Sequence, residues 1–69
     1  MKVSARNTLK GIVKSVVTGV VNDEVTVEIS PGVEVTAVIT KTSSENLGLA
    51  AGKEVYAVIK ASDVIIAID

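Results

Sequence analysis

Two stretches of this chain alternate apolar and polar residues, and that alternation restricts its possible folds more than any other feature. In VTVEI (Val25–Ile29), Val25, Val27 and Ile29 point to one side of an extended backbone while Thr26 and Glu28 point to the other. VEVTAVIT (Val33–Thr40) repeats the pattern, with Val33, Val35, Ala37 and Ile39 inward. A helix, with its period of 3.6, cannot gather such residues on one face. SPG (Ser30–Gly32) between the two runs has turn chemistry and makes the pair a hairpin.

The remaining segments extend the theme. LKGIVKSVVTGVV (Leu9–Val21) reads as a longer strand with a bend or bulge at Gly11, followed by a turn through Asn22 and Asp23. KEVYAVIK (Lys53–Lys60) and VIIAI (Val64–Ile68) read as two more strands joined by ASD (Ala61–Asp63). The helical stretch is SSENLGL (Ser43–Leu49), with Ser43 or Ser44 as its first cap and Gly48 as its end. Five strands with one short helix between strands 3 and 4 is the element order of an all-β, OB-type Greek-key barrel. Residues 1–69 are expected to form a single domain.

A chain of 69 residues buries little, and domains of this size are commonly reinforced by disulfides, a metal or association. With no Cys and no His, disulfides and the usual structural zinc sites are excluded, which leaves association. The apolar content, 48% of residues, is carried by Val, Ile, Ala and Leu, with Tyr56 the sole aromatic. Several strands are apolar on both faces: Tyr56 and Val58 oppose Val55, Ala57 and Ile59, Val38 opposes Ile39, and Ile65 opposes Ile66. An apolar surface of that kind marks an interaction face, so a homo-oligomer is expected.

A net charge of −1 provides no basic field for nucleic acid and no polybasic patch for a membrane. The N-terminal residues contain no signal-like apolar stretch, and VIIAI is far too short to span a bilayer, so a cytoplasmic location is expected. Catalysis lacks its usual agents: no His, no Cys nucleophile, and no serine in a triad setting. The carboxylates are spread singly, and adjacent Asp23 and Glu24 lack the oxygen-rich loop a cation site needs, so no direct metal ligands are expected.

Hydrogen-bond donors concentrate in two places. SARNTLKG (Ser4–Gly11) puts Ser4 and Arg6 two residues apart, on the same side of an extended segment. KASD (Lys60–Asp63) lies between two strands, where free N–H groups, an ammonium and a hydroxyl can form an anion nest. Taken alone, each reads as a solvated terminus or turn. Together they offer two positive charges and several neutral donors with Asp63 the nearest acceptor, a set suited to a fully deprotonated tetrahedral dianion. Lys10 is expected to face solvent.

SARNTLKG, GVVNDEVTVEI (Gly19–Ile29) and LGLAAGKEVYAVIKASDVIIA (Leu47–Ala67) resemble the corresponding segments of the molbindins, small molybdate-binding proteins made of a Mop domain. The resemblance covers essentially the whole chain. It implies an OB-type fold, a homo-oligomer (a hexamer, as a trimer of dimers), and non-catalytic storage or homeostasis of molybdate, with tungstate also accepted, at sites between subunits. It assigns oxyanion binding to Ser4, Arg6, Lys60, Ala61 and Ser62, Ala61 acting through its backbone N–H, with Lys60–Ser62 expected from a neighbouring subunit. Ala5 and Asn7 lie within the motif without an assigned contact. A second oxyanion site of the family is placed at Thr18, Gly19, Val20 and Asn22. The competing reading is a structural domain that mediates assembly without a specific ligand.

Overall fold

The computed structural model describes residues 1–69 and contains one sheet of four antiparallel strands: β1 (Asn7–Thr18), β2 (Asn22–Ser30), β3 (Val33–Thr40) and β4 (Glu54–Ile59). Their order across the sheet is β3-β2-β1-β4. The long β1 serves both neighbours: Asn7–Ile12 pairs with β4 and Ile12–Thr18 with β2, so the sheet curls into a half-barrel of OB type. The expected fifth strand is absent. Val64–Ile68 has no ladder partner within the chain, and an extended segment without one is not a strand; Ile65, Ile66 and Ile68 stand 91%, 82% and 93% exposed.

The curl is produced at two positions in β1. Gly11 is buried where β1 lies directly on β2, and a Cβ there would fall 2.6 Å from the Glu28 carbonyl oxygen and 2.7 Å from Val27 Cγ1. The bulge expected at Gly11 sits instead at Lys14, where the register slips between Val13 and Ser15. Glycine here permits close approach, and the extra residue bends the strand just beyond it.

Local hydrogen bonding moves two other boundaries. The β1–β2 turn runs through Gly19–Val21 rather than Asn22 and Asp23, because the Gly19 N–H donates to the Asn22 carbonyl at 2.9 Å and β2 begins there. Helix α1 (Lys41–Leu47) starts directly from the end of β3, so its cap is Thr40, whose hydroxyl accepts from the Ser43 N–H at 3.0 Å, not Ser43 or Ser44. Gly48 closes the helix as expected, in the left-handed conformation at φ 63°. The Lys53 ammonium donates to the carbonyls of Leu47 and Gly48 at the helix end.

Val13, Val25 and Val27 are the fully buried core, with Val16, Ile29, Ile39, Leu49 and Val55 packed on them. Val33, expected inward, is half exposed at the start of β3, beside the Pro31–Gly32 turn. The accessible surface is 5310 Å², where a compact monomer of this mass exposes about 4,100 Å². The radius of gyration, 12.6 Å, likewise exceeds the roughly 11 Å of a compact chain of this length.

Candidate functional site

The pairing of β1 with β4 determines where the donors meet. Asn7 lies opposite Ile59, so the residues just before β1 and just after β4 leave the sheet side by side. Ser4, Ala5, Arg6, Lys60, Ala61 and Ser62 line one open concavity of about 220 Å³. The two donor segments therefore meet within one chain, contrary to the expectation that Lys60–Ser62 comes from a neighbour.

After Lys60 the chain winds into a 3-10 turn over Ala61–Asp63. Within it the Asp63 N–H donates to the Lys60 carbonyl at 2.9 Å and the Val64 N–H to the Ala61 carbonyl at 3.3 Å. The N–H groups of Ala61 and Ser62 take no part in those bonds and remain free at the concavity wall. Asp63, the nearest acceptor by sequence, is not among the lining residues. Asn7, left without a role above, donates its side-chain amide to the Ile59 carbonyl at 3.3 Å.

The charges here are uncompensated. Lys10 pairs with Glu54 at 3.1 Å on the exposed sheet face, as its expected solvent position implies, and Lys14 pairs with Glu34. Lys53 caps α1, and Lys41 Nζ lies 3.5 Å from the Gly19 carbonyl oxygen. Arg6 and Lys60 have no carboxylate partner, and no carboxylate lines their concavity. Two cations, two hydroxyls and free N–H groups can bind a small anion and have no arrangement for nucleophilic or acid–base chemistry.

The second set is less assembled. Thr18 ends β1, Gly19 and Val20 form the turn, and Asn22 begins β2. The Gly19 N–H is occupied by the Asn22 carbonyl and faces the Asp23 carboxylate, itself buried, at 3.4 Å. None of the chain's three concavities is lined by these residues. The other two concavities are mostly apolar; one, of about 140 Å³, is the open mouth of the half-barrel between Val27, Ile39 and Val55. No helix is long and apolar enough to cross a membrane.

Comparison with known proteins extends this geometry. A family model described as TOBE domain matches residues 3–66. Molybdenum-pterin-binding protein 3 of Clostridium pasteurianum is 50% identical over 66 residues, covering 96% of this chain and 97% of that protein. Molybdenum transport protein ModE of Azotobacter vinelandii is also 50% identical over 66 residues, but the chain spans only 24% of its length. Among solved structures, the cytoplasmic molybdate-binding protein ModG with molybdate bound superposes with a TM-score of 0.90 at 49% identity, over 94% of this chain and 46% of that one.

Proposed function

This chain belongs to the TOBE-domain family, in its Mop (molbindin) branch, and from that premise we propose that it is a non-catalytic molybdate-binding protein serving storage or homeostasis. The observation that carries the reading is the concavity where Arg6 and Lys60, both without a carboxylate partner, face the hydroxyls of Ser4 and Ser62 and the free N–H of Ala61. A tetrahedral dianion neutralises both charges and accepts from every donor. Charge-assisted hydrogen bonds contribute about 1.5–3 kcal/mol each, so a few of them are enough for micromolar binding, near −8 kcal/mol.

The site also discriminates among ligands. Monohydrogen phosphate carries a proton that needs an acceptor, and the wall offers no carboxylate, only neutral oxygens such as the serine hydroxyls, which are weaker acceptors. Tungstate has the charge and protonation state of molybdate and is expected to bind as well. A pterin fits poorly: it is a neutral planar heterocycle whose N–H groups need acceptors and whose rings need a stacking face, while the wall offers mainly cations and donors and Tyr56, the only aromatic, is not in it.

The working form in this reading is a cytoplasmic homo-oligomer, a hexamer built as a trimer of dimers, with each 69-residue chain acting as one Mop domain and its sites closed by neighbours. The excess accessible surface and the exposed Ile65, Ile66 and Ile68 support association. The concavity is open on one side, so a second copy has room to close it. The turn at Thr18, Gly19, Val20 and Asn22 is the proposed second site, formed only on assembly. Its buried Asp23 carboxylate disfavours an anion in the isolated chain.

Equilibrium dialysis against molybdate, with sulfate and phosphate as competitors, tests the proposal. Retention of molybdate and tungstate over both competitors is expected, over phosphate because of its proton and over sulfate because its smaller radius reaches fewer of the donors at once. Retention of none of them, by a protein that still associates, would instead establish the assembly-domain reading.

A further inference from the structure

The exit from β4 into the binding turn has little to hold it. The 3-10 turn at Ala61–Asp63 has no side-chain cap, and the six residues after it are exposed and irregular. Only one hydrogen bond made by a side chain touches residues 1–9 or 58–69, and it runs from the Asn7 amide to the Ile59 carbonyl at 3.3 Å. That carbonyl belongs to the peptide unit whose other end is the Lys60 N–H, and the unit is planar. Holding its oxygen at the last ladder pair, Asn7–Ile59, restrains the peptide plane from which the chain enters Lys60, Ala61 and Ser62. Asn7 is half-buried and follows Arg6 directly, so one residue joins the two donor segments. Asparagine is disfavoured in strands, and at the first position of β1 its side-chain amide makes this bond.

Resting on the oxyanion-binding function proposed above, we infer that Asn7 is a positioning residue, which clamps the end of β4 so that Lys60–Ser62 is preorganised for the anion without itself touching it. Removing it makes the empty site mobile, and binding must then supply the ordering.

The test compares wild type with Asn7→Ala in the assembled, full-length protein. The measurements are molybdate dialysis and backbone order parameters of Lys60–Ser62 without and with saturating molybdate. The expected results for N7A are about tenfold weaker retention, order parameters falling from near 0.85 toward 0.6 in the empty protein, and recovery of order on saturation. Should N7A not fold, Asn7→Ser, whose short hydroxyl does not span the ladder to Ile59, takes its place. Weakened retention with an unchanged empty-state order parameter would make Asn7 a direct ligand and overturn the inference. Unchanged retention beside a wild type that binds would overturn it while leaving the proposed function standing. A wild type that retains no molybdate would remove the proposed function and this role together.

Discussion

Arg6 and Lys60 line one small concavity with no carboxylate among the lining residues, so both charges are available to an anion bound there. Arg6→Ala and Lys60→Ala should each weaken molybdate retention about ten- to hundredfold, as the loss of a charge-assisted bond implies. Neither should lower the melting temperature of the empty protein, and dialysis with calorimetry checks both. Gly11 works in the opposite way, through space rather than charge. A methyl group added there meets backbone and side chain of β2 at 2.6 and 2.7 Å, so Gly11→Ala should destabilise by about 1–3 kcal/mol, seen as a lower denaturant midpoint. At this scale the donors Ser4, Arg6, Lys60 and Ser62 were legible because their chemistry is in the side chains themselves. Asn7 was not, because its partner is a carbonyl 52 residues away.

Among the elements, α1 is held by its ends rather than by its length. Thr40→Ala removes the only side-chain cap and should cost about 1 kcal/mol. Ser43→Ala should cost less, since it keeps the backbone N–H bond to Thr40 and loses only the exposed bond that the Thr40 hydroxyl donates to Ser43 Oγ at 2.8 Å. The sequence placed the cap in Ser43 or Ser44 because serine precedes the apolar residues, but β3 enters the helix with no intervening loop and Thr40 reaches the position first. In the sheet, Glu28 and Glu34 lie directly opposite on β2 and β3, and Lys14 reaches across from the β1 bulge to Glu34. The hydrogen bond and charge of Glu34 raise the Lys14 pKa above its ordinary 10.5, as Glu54 does for Lys10. A pKa higher in the folded state means these pairs contribute in full below about pH 10 and lose that contribution as pH climbs through the folded values. The melting temperature should therefore hold from pH 7 to 9 and fall above roughly pH 10.5, with Lys14→Met weakening the fall. Both pairs are exposed, so added salt should diminish their effect.

The whole molecule exposes about 1,200 Å² more than a compact monomer of its mass, comparable to what a standard protein interface buries in total. Its core is three valines and their half-buried neighbours. Light scattering should find an oligomer. Removal of Val64–Asp69 should reduce its mass or its solubility while leaving β1–β4 in place, as judged by circular dichroism. If neighbours close the sites, ligand occupancy and assembly are linked, and molybdate at a hundred times its Kd should add about 2.7 kcal/mol to stability. An unchanged melting temperature at that concentration would show that molybdate does not bind the folded protein, whereas stabilisation with an unchanged subunit association constant would show that assembly and binding are independent.

Strands β1–β4, the hairpin at Pro31–Gly32, the helix between the third and fourth strands and its end at Gly48 are all legible in the order of the residues. Each of these follows from alternation or from a single residue's backbone preference, and such effects act over a few positions. The sequence also singled out Ser4, Arg6, Lys60 and Ser62 as donor-bearing residues, since charge and hydroxyls belong to the side chains themselves. Long-range pairing, by contrast, leaves Val64–Ile68 without a strand partner in the lone chain, puts the bulge at Lys14, and brings Ser4–Arg6 and Lys60–Ser62 to the same concavity. Those outcomes depend on which backbone pairs with which, and the Asn7–Ile59 register joins residues at opposite ends of the chain that no local pattern connects.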